Sequence, residues 1–325
     1  MICCTAAAAG RGDNGGMRLF LRAGLALLLA IVLVAAGIRY VFPQLALSIA
    51  LDVEHWRAGL VEREIRLPDG LRISYLEGGR GEDLVLLHGF GADKDNFIRI
   101  APFLEPSYRI IVPDLVGFGD SSHPADADYS PAAQAERVRA FCKALGLTSF
   151  HLGGSSMGGQ IALTLAAAHP HEVRSLWLLD PGGIWSAPES EATRTMRESG
   201  RTPLLVSSED DFATQLALTM SRPPPIPRFL QDLMARRRIA NRALEERIQR
   251  QARADSIESR IDGLRTSTLV VFGANDRVIN PATAQLLKKL LPHSHVVIMP
   301  GVGHLPALEE PGHAASDYIR FRDSM

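Results

Sequence analysis

Phe150-His151-Leu152-Gly153-Gly154-Ser155-Ser156-Met157-Gly158-Gly159-Gln160-Ile161 is the stretch on which the reading of this chain turns. Phe150 to Gly153 reads as a strand, and Gln160 to Ala168 as a helix. Between them sits G-x-S-x-G, Gly154-Ser155-Ser156-Met157-Gly158. Strand, G-x-S-x-G and helix together make a nucleophile elbow: a sharp turn that holds its central residue in a strained backbone and points the side chain off the sheet. Glycines on both sides let strand and helix approach without a Cβ clash. Ser156, not Ser155, has glycine at both flanking positions, so Ser156 is the candidate nucleophile.

A serine hydroxyl attacks poorly at neutral pH unless a base takes its proton and a third group orients the base. Two later loops offer these partners, acid first and histidine second. Thr268 to Gly273 reads as a β-branched strand running into Ala274-Asn275-Asp276, and His295 to Met299 as another strand before Pro300-Gly301-Val302-Gly303-His304. Carboxyl ends of strands are where open α/β sheets place their chemistry. His304 is therefore the candidate general base and Asp276 its orienting carboxylate. Asp180, at the end of Leu176-Trp177-Leu178-Leu179, competes for the acid role, although Pro181-Gly182-Gly183 after it reads as a turn leaving the sheet. His169, His171, His293 and His295 lack a glycine-rich presentation loop.

The negative oxygen of a tetrahedral intermediate needs donors, usually backbone N–H groups. Leu84 to Leu87 reads as a buried strand entering the turn His88-Gly89-Phe90-Gly91. One donor comes from this loop and one from the residue after the nucleophile, which assigns the Phe90 and Met157 N–H groups. His88 and Asp114 read as residues that shape loops. The ten histidines and three cysteines give no metal-ligand spacing, and neither a phosphate-binding glycine loop nor H-E-x-x-H is found, so no cofactor or metal is expected. The formal net charge of −1 and the absence of a basic block interleaved with aromatics argue against nucleic acid as a partner.

The chain has 325 residues and three regions of different character. Residues 1–17 are Ala/Gly-rich and are expected to carry no fold. Residues 18–42 hold an apolar run, Ala23 to Ile38, between Arg22 and Arg39. It reads as a single-pass transmembrane signal anchor, with a cleaved signal peptide or a core helix as alternatives. Pro43 to Trp56 keeps an apolar face suited to a membrane interface. From 43 to 325 strands and helices alternate, predicting a mostly parallel sheet of about eight strands with an antiparallel start. No convincing strand lies between 183 and 262; amphipathic helices there, rich in arginine, are expected to roof Ser156 as a cap.

Leu87-His88-Gly89-Phe90-Gly91, Gly154-Ser155-Ser156-Met157-Gly158-Gly159-Gln160, Gly273-Ala274-Asn275-Asp276 and Gly303-His304 together resemble the α/β-hydrolase superfamily. Within it the chain is similar to the membrane-anchored monoacylglycerol lipase and bacterial lipase/esterase branch, over roughly residues 40 to 322. The resemblance implies a serine carboxylester hydrolase acting on glycerolipid-like esters from a bacterial inner membrane. Such elbows also occur in carbon–carbon bond hydrolases of aromatic degradation. A ligand-binding relative without catalysis is the third possibility.

Overall fold

The computed structural model describes residues 14–325, so the first thirteen residues of the tail expected at 1–17 lie outside it. The chain divides into two compact units, one ending at Ala50 and one running from Leu51 to Met325. The first holds helix α1 (Asn14–Val41) and the beginning of α2 (Pro43–Arg57). Side chains from Leu19 to Leu33 are exposed on every side of α1, Leu19, Phe20, Leu25 and Leu28 among them. The anchor expected at 18–42 is thus a helix, but among the described residues no helix is long and apolar enough to cross a membrane.

The second unit is built on one eight-stranded sheet. Its strands are β1 (Leu60–Arg66), β2 (Arg72–Gly79), β3 (Glu82–Leu87), β4 (Tyr108–Pro113), β5 (Phe150–Ser155), β6 (Val173–Leu179), β7 (Thr268–Gly273) and β8 (Ser294–Met299). Their order across the sheet is β1-β2-β4-β3-β5-β6-β7-β8. β2 runs antiparallel to β1 and β4, and every other pairing is parallel. The sheet is therefore mixed but mostly parallel.

Both faces are covered, so the inner strands read as continuous apolar runs whose alternate residues feed different cores. Val85, Leu87, Leu176, Leu178, Val270 and Phe272 pack into one, whereas Leu84, Leu86, Trp177, Leu179, Leu269 and Val271 pack into the other. The first core is closed by α4 (Pro131–Ala144), α5 (Met157–Ala168) and α11 (Thr283–Leu290). The second is closed by α3 (Ala101–Leu104) and by α12 (Pro306–Glu309) and α13 (Pro311–Asp323). There the Trp177 indole stacks on Tyr318 with centroids 4.4 Å apart.

Between β6 and β7 the chain forms α6 (Glu191–Ser199), α7 (Glu209–Thr219), α8 (Arg228–Ala240), α9 (Arg242–Arg253) and α10 (Glu258–Ile261). Side-chain caps start two of these helices: Ser190 accepts from Thr193 N, and Ser208 from Asp211 N. The centre of the sheet is β5, flanked by β3 and β6. Loops leaving the carboxyl ends of β3 to β8 consequently converge around the end of β5.

Candidate active site

Ser156 stands between β5 and α5 with φ 55° and ψ −116°, a region that side-chain-bearing residues rarely enter. The neighbouring glycines make this turn possible. A Cβ on Gly154 would lie 2.3 Å from Gly158 O, and one on Gly158 would lie 2.2 Å from Leu87 O. The elbow is also tied to the adjacent strand, since Ser156 N–H donates to Leu179 O at 2.9 Å and Gly182 N–H to Ser156 O at 2.9 Å. Gln160, one turn into α5, donates through Nε2 to Ala252 O and Asp255 O, linking the elbow helix to the end of α9.

Asp276 and His304 are brought together: His304 Nδ1 and Asp276 Oδ2 lie 2.7 Å apart, both side chains buried. Asp276 Oδ1 accepts from the Val278 and Ile279 N–H groups at 2.7 and 3.0 Å, which aims the other oxygen at the imidazole. The His304 loop has its own support. Glu309 accepts from Gly303 N through Oε1 and from Ser221 N and Arg222 N through Oε2, and His304 N–H donates to Thr219 O. Glu309 has no motif around it; its signal was only an acid a few residues past a glycine-rich loop. Among the described residues the Ser156 hydroxyl has no hydrogen-bond partner, a common state of such groups before substrate arrives.

Asp180 enters this site from β6. Its φ is 46°, its side chain is fully buried, and Oδ1 accepts from Gly273 N at 2.9 Å while Oδ2 has no partner. One oxygen each of Asp180 and Asp276 and a ring nitrogen of His304 lie within 4.8 Å of one another. Burial, reinforced by the negative charge of Asp276, pushes the Asp180 carboxyl well above the usual carboxylate range. Burial and the adjacent Asp276 thus both favour the neutral form of the Asp180 carboxyl. Although these three side chains are close enough to hold a metal ion, chelation would compete with the short His304–Asp276 hydrogen bond.

The loop after β3 lies against the elbow, as a Cβ on Gly89 would sit 3.2 Å from Ser156 Cβ. Among the described residues neither Phe90 N–H nor Met157 N–H has an acceptor. His88 shapes this loop. Its Nε2 accepts from Leu115 N at 3.0 Å, so the proton sits on Nδ1, which donates to Gly89 O at 2.8 Å. Complete burial lowers the His88 pKa to about 4 and keeps the ring neutral in that tautomer.

Beneath the loop Lys94 is buried with Asp114, which accepts from Lys94 N at 2.6 Å, from Lys94 Nζ at 2.9 Å and from Asp120 N at 2.8 Å. Burial works to strip the Lys94 charge, but Asp114 and Asp120 outweigh it and raise the ammonium pKa. Asp114 thus braces the loops after β3 and β4. Above the loop, Arg238 of α8 reaches Gly91 and lies 5.7 Å from the Phe90 ring centroid.

The cleft at Ser156 is small, about 100 Å³, and largely apolar. Phe90, Met157 and Trp185 line it with Leu204, Val278 and Ile279, and Gln249, Ala252 and Arg253 of α9 close it from the helical segment. A serine hydroxyl without a partner, a histidine–carboxylate pair and two N–H groups without acceptors are the kinds of group that acyl transfer needs.

A model of the alpha/beta hydrolase fold family matches residues 84–311. Lipase 3 of Moraxella sp. (strain TA144) is 42% identical over 283 residues, covering 85% of this chain and 89% of the relative. Monoacylglycerol lipase ABHD6 of Homo sapiens is 27% identical over 259 residues, 76% of this chain and 77% of that protein. Among solved structures, that of a membrane phospholipase A, a bacterial virulence factor, is similar at a TM-score of 0.85 with 40% identity, covering 95% of this chain and 98% of the other.

Proposed function

The chain belongs to the alpha/beta hydrolase fold family and is a lipase-type carboxylic ester hydrolase, and on that premise we propose a mechanism, a substrate class and a location. His304 Nε2 takes the proton of Ser156 as Oγ attacks the ester carbonyl carbon. The carbonyl π electrons move to oxygen, and that oxyanion accepts from Phe90 N–H and Met157 N–H. Collapse breaks the bond to the alcohol, which leaves with the proton from His304. Water, deprotonated by the same histidine, then attacks the acyl-enzyme; the bond between the acyl carbon and Ser156 Oγ breaks, Oγ takes back the proton from His304, and the carboxylic acid is released. Asp276 holds the imidazole with its proton on Nδ1 and stabilises the cation that forms in both halves. Substrate binding completes the Ser156–His304 hydrogen bond.

The observation that carries this reading is the short His304–Asp276 hydrogen bond set beside a strained Ser156 at the end of the central strand. The apolar lining of the cleft supports an acyl ester, and relatives named as lipases and a monoacylglycerol lipase point to a glycerolipid. The helices between β6 and β7 serve as a cap that closes the slot around the acyl chain. The exposed apolar side chains of α1 between Leu19 and Leu33 are expected to associate with lipid, because each Å² of such surface left in water is unfavourable by about 25 cal/mol. The similar membrane phospholipase A favours the same location.

A fluorophosphonate probe tests the nucleophile. Wild type should be labelled, Ser155→Ala should still be labelled, and Ser156→Ala should lose all labelling with an unchanged circular dichroism spectrum. Labelling that survives in Ser156→Ala would move the nucleophile elsewhere.

A further inference from the structure

The helical segment over Ser156 holds a second cavity, about 970 Å³, far larger than the cleft at the serine. The two share Thr202, Pro203, Gln249 and Arg253 in their walls. Four arginines line the larger space, Arg201, Arg242, Arg250 and Arg253, together with the acids Asp211 and Glu246. Two of these charges are neutralised: Arg242 Nε lies 2.9 Å from Glu246, and an Arg201 nitrogen lies 3.7 Å from Asp211. Both acids are thereby used. Arg250 and Arg253, one turn apart on the same face of α9, have no hydrogen bond or ion pair among the described residues. Burial pulls the Arg253 pKa down.

Three of the four arginines of α8 are paired, Arg237 being the exception. Arg228, Arg236 and Arg238 each meet a carboxylate: Asp210 and Asp232, Glu209, and Glu245 respectively. The uncompensated positive charge is thus placed at the wall between the large cavity and the cleft of the nucleophile. A guanidinium presents its N–H groups in a planar fork that matches phosphate oxygens two at a time. An ester whose acyl carbon sits at Ser156 would carry its alcohol portion past Arg253 into the larger, more polar space.

We propose that Arg253, supported by Arg250, binds the phosphate of a glycerophospholipid-type acyl ester, making this cavity the headgroup site of the enzyme. The proposal rests on the ester-hydrolase reading above and adds the charge of the leaving group to it. Arg253 here is a specificity residue; it takes no part in the proton transfers.

The experiment compares two substrates of equal acyl chain, lysophosphatidylglycerol and monoacylglycerol, on full-length wild type, Arg253→Gln, Arg250→Gln and Arg253→Lys. Loss of one charge-assisted contact should raise KM for the phosphoglycerol substrate at least about tenfold more than KM for the neutral one in Arg253→Gln. A smaller loss of discrimination is expected in Arg250→Gln, and partial recovery in Arg253→Lys. Equal effects on both substrates, or none on either, would overturn the headgroup assignment. So would unchanged discrimination accompanied by Arg253-dependent inhibition of neutral-ester hydrolysis by inorganic phosphate, which would make free phosphate the ligand. Wild type inactive on both lipids and on short p-nitrophenyl esters would instead strike at the ester-hydrolase reading itself.

Discussion

On the β3–β4 side of Ser156 the buried Lys94 is met by Asp114 and Asp120, and the loop above it is pinned by a neutral His88 with both ring nitrogens engaged. On the β6–β7 side two aspartates face each other, Asp180 keeps an oxygen without a partner, and His304 is the counterpart for Asp276. The first side is a saturated brace whose task is to hold two backbone N–H groups still. The second gathers two carboxyl groups around His304, where the proposed mechanism forms a cation during turnover. The contrast teaches that burial of charge has two uses within one site, and that the missing partner marks the side where protons move.

The largest effect should come from the charged side. Asp276→Asn removes the group that fixes the His304 tautomer, and kcat should fall about ten-thousandfold, read in steady-state kinetics on a soluble ester. A loss no greater than that of Asp180→Asn would reverse the roles of the two acids.

On the braced side the expected cost is in stability. Lys94→Met leaves Asp114 buried without its cation, and unfolding in urea should show a loss of about 3–5 kcal/mol. Stability close to wild type would mean that the brace relaxes around the lost charge, and the contrast between the two sides would weaken.

Asp180→Asn should have the smallest effect at neutral pH, since the amide is neutral as the protonated acid is. Its signature lies in the pH dependence. A carboxyl whose pKa is raised by folding stabilises the native state least once the pH passes that raised value. Wild-type stability should therefore decline relative to Asp180→Asn as pH climbs from the ordinary aspartate range. Parallel urea-stability profiles would show that Asp180 is ionised already.

Much of this arrangement was legible in the sequence because it is local. Gly154, Ser156 and Gly158 lie within five positions, and their meaning follows from what a Cβ would strike. Asp276 and His304 could be placed because each follows a β-branched strand. Contacts that join distant segments were not legible. Lys94 and Asp114 are twenty positions apart with no motif between them, whereas the strand-end position of Asp180 had already marked it as a rival acid in this site.

Arg238 has one more implication. Its guanidinium is held by Glu245, Gln215 and Leu204 O on the helical segment, and it fills the space a Cβ on Gly91 would need, 2.3 Å from that position. The cover over the cleft and the loop bearing Phe90 therefore share a buried strut. On the proposed mechanism, in which Phe90 N–H receives the oxyanion, lifting that cover to admit a bulky guest would pull the strut from the same loop, so that opening and disarming would be a single event and chemistry would wait until the guest is shut in.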